Sequence, residues 1–364
     1  MGPICTIYMK GIFLKFSLLL FCLNSKSQIV NQEMILKGHE YTVLCLDIDK
    51  TGKYLVSGSY DANIILWDYD TGKQLRTFNG NNSGIWSVKI SPDSKYVASG
   101  SWNNNHYAKG SSLNCLNILD LNTFRVIKSL SIYPDRYKIL SVIPELDDSS
   151  PNGIYNILFN ANGSKVAALT HSRDLFIWDI KDNFNRTTYS YRNTNHKLLG
   201  LSPNWNYIVC SERKRSAIDT SFYLMRLETN EVIAYFDNPK RTVVGVFFSS
   251  NSKYIVSISG DRILRNEIDV WNIETQDLIC TLKGHSNVVR SIAFSENDKY
   301  LASAGEDNLI NLWNIQTGKL IVSFTENNEK ELTSVIFTPD QKYLISASQD
   351  KTIKYWCIDK WIDQ

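Results

Sequence analysis

Signatures of catalysis are missing from this chain of 364 residues. It has no His-Glu-x-x-His pair, no Cys-x-x-Cys pair, no Gly-x-Ser-x-Gly elbow and no phosphate-cradling glycine loop. The spacings that build a zinc site, a redox dithiol, a nucleophile turn or a nucleotide cradle therefore have no counterpart, and no catalytic, metal or cofactor residue is assigned. Histidine is scarce, at five residues. Seven cysteines are present, and setting aside Cys5 and Cys22 leaves Cys45, Cys115, Cys210, Cys280 and Cys357. Most of these fall inside apolar strand-like runs, so they read as small buried side chains rather than as a disulfide framework. Excess charge of one sign is lacking too: the formal charge is +2 with no basic tract, which argues against a general nucleic-acid binder. Apolar stripes of helical period are absent, which removes the helical solenoids. The apolar run over residues 12–23 is interrupted by Lys15 and too short for a comfortable membrane span.

That run belongs to a separate leader. Met9-Lys10 opens a basic segment, the apolar stretch follows, and Ser25-Lys26-Ser27 offers small residues where a signal peptidase reads. Residues 1–27 are thus expected to be a secretory signal, with the mature chain starting at Gln28 and translation starting at Met9. Removal of Lys10, Lys15 and Lys26 would leave a charge of about −1. The location expected is secreted or periplasmic, the alternative being a cytoplasmic protein with a mis-called start. Leu19-Leu20-Phe21-Cys22 is a poor fit to a lipidation box. Asn81, Asn162 and Asn185 begin sequons that matter only in a glycosylating host.

What is present is a period. A strand-like run ends in Trp-Asp or a relative of it at Trp67-Asp68, Leu119-Asp120, Trp178-Asp179, Met225-Arg226, Trp271-Asn272, Trp313-Asn314 and Trp356-Cys357. A repeat of about 40 to 45 residues is the period of a four-stranded propeller blade, so the fold expected for residues 28–364 is all-β with seven blades. The blades run approximately over 38–80, 81–132, 133–183, 184–238, 239–283, 284–326 and 327–364. The sixth shows the unit: Gly284-His285, a strand over 289–294, turn residues 296–299, a strand over 300–304, a tight Asp307-Asn308 turn, a strand over 309–313, another turn, and a last strand over 320–324. After Trp356 the chain is too short for a fourth strand in the last blade, and residues 33–37 supply an unassigned extended run that would pair there and remove an open edge.

This unit resembles the WD40-repeat family in its Gly-His, its Asp after strand two and its Trp six residues later. The resemblance implies a hydrogen-bonded network across the blade made of His39, Ser57, Asp61 and Trp67 in the first blade and of His285, Ser303, Asp307 and Trp313 in the sixth. In the seventh it implies Ser346, Asp350 and Trp356, with Asn328 at the His position. Asn81 and Pro239 also replace His, Leu119 and Met225 replace Trp, and Ser172 stands at the Asp position of the third blade. Such erosion is tolerable because each blade is also held by apolar burial against its neighbours.

If His meets Asp across a blade, the turn before strand one and the turn between strands two and three share one face, here the upper face. The long insertions, residues 103–114, 133–153, 212–221 and 261–266, fall in those two turn classes, while the opposite face keeps short turns, which suggests recognition on the upper one. Family members often touch partners through the residues three and five after the His position and the one before the turn Asp. Carried over, these positions give Thr42, Tyr60, Trp86, Trp102, Tyr155 and His171 as an aromatic sector over blades 1 to 3, and Lys197, Arg213, Arg290, Glu306, Glu331 and Gln349 as a charged one. Aromatic and Arg side chains are the usual anchors of interfaces, although Trp86 and Trp102 could equally pack under loops. The expectation is a monomeric, non-catalytic platform for another protein or a peptide, without nucleic acid or membrane span. A propeller hydrolase or lyase would instead need carboxylates or His at the upper ends of the innermost strands, where Val43, Val288 and Leu332 stand.

Overall fold

The computed structural model describes residues 34–79, 83–102, 114–132, 153–191, 196–212, 221–237, 243–259, 266–325 and 330–362. The leader assigned to residues 1–27 lies outside them. Seven four-stranded antiparallel sheets follow one another along the chain, each an up-and-down meander in which sequential neighbours pair. The first is Val43–Ile48, Tyr54–Ser59, Ile64–Asp68 and Gln74–Phe78; the sixth is Val289–Phe294, Tyr300–Gly305, Leu309–Asn314 and Lys319–Thr325. The seventh takes strands from both ends of the chain, since Met34–Lys37 lies antiparallel to Thr352–Cys357 with Met34 opposite Tyr355 and Lys37 opposite Thr352. First strands contact one another between blades 1 and 2, 2 and 3, 4 and 5, 6 and 7, and 7 and 1.

Local chemistry explains the regularity. The turn after each first strand begins with a short polar side chain: Asp49, Ser91, Asn160, Ser202, Ser249, Ser295 or Thr338. Each accepts the backbone amide five residues on, at the start of the second strand. The second strands read as buried runs such as Tyr54–Ser59 and Tyr300–Gly305, because both of their faces are covered by neighbouring blades. Apolar clusters accordingly join adjacent blades: Val56, Leu66 and Val97 pack together across blades 1 and 2, and Ile268, Leu301 and Trp313 across blades 5 and 6.

The blade network follows from donor and acceptor counting. In the sixth blade the Trp313 indole N–H donates to Ser303 Oγ at 2.8 Å, His285 Nε2 lies 2.7 Å from the same hydroxyl, and His285 Nδ1 lies 2.9 Å from Asp307. A hydroxyl that accepts the indole proton has its own proton for His Nε2, so Nδ1–H donates to the carboxylate and the chain of bonds has one direction. His39, Ser57, Asp61 and Trp67 repeat this arrangement, with 2.9, 2.7 and 2.8 Å separations. Trp356 donates to Ser346 at 2.9 Å, and in the fifth blade, which sequence reading left out of the network, Trp271 donates to Ser257 at 3.0 Å. The third blade moves its carboxylate two residues along, where buried Asp174 accepts the hydroxyls of Ser172 and Ser190.

Two blades depart in ways that matter energetically. In the seventh, Asp350 accepts the buried ammonium of Lys354 at 2.7 Å, so a cation from the third strand stands where other blades use His. In the second, Leu119 has no N–H to give, and the Ser99 hydroxyl, fully buried at the Ser57 position, has no hydrogen-bond partner among the described residues. An orphaned buried hydroxyl costs about 1 to 3 kcal/mol of desolvation. Ser99→Ala is therefore expected to leave stability unchanged or raise it by up to about 1 kcal/mol, whereas Ser303→Ala lowers it by about 1 to 3 kcal/mol. Chemical denaturation of the two variants checks the contrast, and equal losses would refute it.

Candidate functional site

The upper face is built by two loop classes tied to each other. Backbone amides at the second turn donate to carbonyls at the first: Tyr60 to Thr42 at 2.9 Å, Trp102 to Gly84 at 3.3 Å, His171 to Gly153 at 3.1 Å, Glu306 to Val288 at 2.9 Å and Gln349 to Glu331 at 2.9 Å. These bonds put the residue before each second turn beside the upper end of its own innermost strand.

At that end a register irregularity recurs. One residue is skipped between Val43 and Cys45, Ile85 and Ser87, Ile154 and Asn156, Val243 and Gly245, Val289 and Ser291, and Leu332 and Ser334. A bulge re-aims the extra side chain away from the alternation of the strand. The extra residues include Trp86, Tyr155 and Arg290, each a candidate from the sequence. Trp86 is 39% exposed although Ile85 and Ser87 on either side are buried. In the fourth blade the irregularity falls deeper, at Leu199, so the family spacing does not transfer to it. Arg213, the candidate paired with Lys197 there, lies outside the described residues.

In the second, third and sixth blades the bulge residue and the residue before the second turn meet. Trp86 and Trp102 have ring centroids 5.4 Å apart, and Tyr155 and His171 5.1 Å apart. Trp102 and His171 join the two pairs edge-on at 4.8 Å. The Tyr155 hydroxyl donates to the Leu198 carbonyl of the fourth blade at 3.1 Å, and burial raises its phenol above the usual range. The result is one ring cluster that starts at exposed Trp86, crosses half-buried Trp102 and exposed His171, and ends anchored at Tyr155. Tyr60, 57% exposed, packs against Gly84, where a Cβ would stand 3.2 Å from its ring. In the sixth blade the same two positions hold an ion pair, Arg290 with Glu306. In the seventh, Gln349 Nε2 donates to Glu331 at 2.5 Å.

Sequence reading missed Tyr41, which is 58% exposed and has the Lys351 ammonium 5.7 Å from its ring centroid. An aromatic two residues after the Gly-His was the available signal. Among the described residues no three His, Cys, Asp or Glu side chains converge as a metal site would require. Cys45, Cys210, Cys280 and Cys357 are free, and burial pushes the thiols of Cys45, Cys115 and Cys210 up to about 12 and that of Cys280 up to about 11, far from reactive thiolates. Among the described residues no helix is long and apolar enough to cross a membrane.

The family description "WD domain, G-beta repeat" matches residues 30–68, 72–105, 276–314 and 318–357. These segments hold the Gly-His, Asp and Trp landmarks; blades 3 to 5, where the network is rebuilt or eroded, lie mostly between them. With seven four-stranded blades around one ring, the chain belongs to the WD40-repeat β-propeller family. Its curated relatives include the WD repeat-containing protein SL1-17 of Schistosoma mansoni, 27% identical over 145 residues, 40% of this chain and 39% of that one. Eukaryotic translation initiation factor 3 subunit I of Neurospora crassa is 24% identical over 153 residues, 41% of this chain and 36% of that protein. A guanine nucleotide-binding protein subunit beta of Oryza sativa subsp. japonica is 28% identical over 144 residues, 39% and 33%. The matches thus span well under half the length of these relatives.

Proposed function

We propose that the protein is a non-catalytic scaffold that holds another protein or a peptide on its upper face, with Trp86, Trp102, His171, Tyr155 and Tyr60 as the contact surface. The observation that carries this reading is the ring cluster, in which an exposed indole packs on Trp102 and the contacts continue through His171 to Tyr155, whose hydroxyl is tied to a backbone carbonyl. Large aromatic side chains held rigidly at a surface lose little conformational entropy on binding, which is why they serve as interface anchors. Relatives named as subunits of a translation initiation factor and of a guanine nucleotide-binding protein are, by those names, parts of assemblies, which fits a scaffold.

The expected outcome is that Trp86→Ala and Trp102→Ala each weaken capture of the partner by about 2 kcal/mol, roughly thirtyfold. Lys73→Ala and Lys181→Ala on the lower turns should leave it intact. Affinity and melting temperature measured together decide the matter: normal binding by a folded Trp variant would remove these residues from the site. The relatives' names favour the cytoplasmic alternative over export, and the free strand cysteines Cys45, Cys210, Cys280 and Cys357 fit a reducing compartment. The N-terminal residue of protein isolated from its host separates the two, Gln28 for export and Met1 or Met9 for the cytoplasm.

A further inference from the structure

On the lower face, the turn after each first strand carries one residue of positive φ: Gly52, Ser94, Gly163, Trp205, Ser252, Asp298 and Gln341. Several of these side chains clasp the turn of the preceding blade. Ser94 Oγ donates to Asp49 at 3.3 Å, Ser252 Oγ accepts the Asn204 amide at 3.4 Å, and Gln341 Oε1 accepts the Glu296 amide at 3.3 Å. In the sixth blade the clasp is Asp298, an ionisable group only 5% exposed. Its carboxylate faces the Ser249 hydroxyl and the Ser250 and Asn251 amides of the fifth blade, but neither oxygen makes a hydrogen bond of good geometry. Burial raises its pKa above the usual Asp value; Lys253 is the charge facing it from the fifth blade, and Glu296 and Lys299 flank it on its own turn.

The same joint lacks a tie near the channel. Ser87 Oγ accepts the Ile157 amide of the next blade at 3.1 Å, and Ser291 Oγ accepts the Val335 amide at 3.1 Å. The fifth blade has Gly245 at this position and no hydroxyl to offer. Space does not demand that glycine. A Cβ on Gly245 would stand 3.3 Å from the far edge of the Phe247 ring, whereas one on Gly58 or Gly100 would meet an isoleucine at 2.5 Å.

We propose that the joint between the fifth and sixth blades is an adjustable joint of the ring, tight when Asp298 carries a proton and loosened when it is ionised. Burial disfavours the charged carboxylate more than the neutral carboxyl, and with neither oxygen in a well-formed hydrogen bond it outweighs the facing hydroxyl and amides, which by themselves favour ionisation. Because the folded state raises the pKa of Asp298, its contribution is full below about pH 4, the unfolded value, and is lost as pH rises through the folded one. Ionisation therefore frees Val243–Phe248 and its neighbour Val289–Phe294, on the side of the ring away from the aromatic sector.

Hydrogen–deuterium exchange of the full chain, corrected for intrinsic rates at about pH 4.5 and 7.5, tests this. Peptides covering residues 243–248 and 289–294 should lose protection roughly tenfold at the higher pH relative to those covering 43–48 and 85–90. Asp298→Asn should abolish the difference, and Gly245→Ser, which restores a tie, should raise protection of residues 289–294 at both pH values. Equal pH ratios in all four strands, or a difference that survives Asp298→Asn, overturns the proposal. Should Asp298→Asn fail to fold, unchanged protection in Gly245→Ser overturns it as well.

Discussion

Asp350→Ala destabilises the protein by about 3 to 5 kcal/mol, the cost of leaving one member of a buried ion pair without its partner. Lys354, 5% exposed, extends from the strand that pairs with Met34–Lys37, and its ammonium lies 2.7 Å from the Asp350 carboxylate. Deleting the carboxylate strands that cation in the blade which joins the two ends of the chain. Burial alone would raise the pKa of Asp350, but the hydrogen bonds and charge of Lys354 together with Thr352 outweigh it and the net direction is down. A lowered pKa means that the stabilisation is present above about pH 4 and is lost as pH falls through the folded value. Urea denaturation at neutral and acid pH measures both statements. Asp350→Asn combined with Lys354→Met removes both charges and should recover most of the loss, because well-packed apolar replacements of buried pairs are often neutral. A cost for Asp350→Ala no larger than that for exposed Lys351→Ala would show that the pair contributes nothing.

The period of the Trp-Asp landmarks was enough to read the seven-bladed fold, because a propeller repeats one supersecondary unit and every copy must place its third strand at the same depth. Blades 1 and 6 were legible to the individual hydrogen bond for the same reason. Lys354 was not legible. A lysine in a strand normally reads as solvent-facing, and only the pairing of Asp350 with the third strand shows that its head group replaces a missing imidazole. Asp174 escaped notice because the position of the third-blade carboxylate shifts by two residues while its role is kept. At the candidate site, alignment placed Trp86, Trp102, Tyr155 and His171, yet the feature that unites them was invisible. The bulge adds one residue to each innermost strand, and sequence alternation cannot distinguish an extra residue from an exposed one. In the fourth blade the bulge sits two rungs deeper, which is why a spacing counted from the family's His position fails there.

Trp313→Ala is expected to cost about 3 to 5 kcal/mol, the range for deleting a fully buried large aromatic side chain. The indole is 1% exposed and packs with Val270, Ile292 and Leu301 across the fifth and sixth blades. Gly284 lies so close that a Cβ there would come within 2.9 Å of the ring, so the cavity has a rigid wall and cannot simply collapse. The deletion also removes the donor to Ser303 at the head of the His285–Asp307 chain. Asp307→Ala, which breaks that chain at its other end and leaves most of the packing in place, should cost less, about 1 to 3 kcal/mol. The two losses should respond differently to acid. Burial works to raise the pKa of Asp307, but the His285 hydrogen bond and the amides of Ser286 and Leu309 lower it overall, so the Asp307→Ala penalty shrinks below about pH 4. The packing loss in Trp313→Ala has no such titration and should persist. Trp86→Ala supplies the control, since the same truncation at an exposed site should leave the melting temperature nearly unchanged. Similar losses for Trp86→Ala and Trp313→Ala would mean that Trp86 is part of the core and not of a binding face.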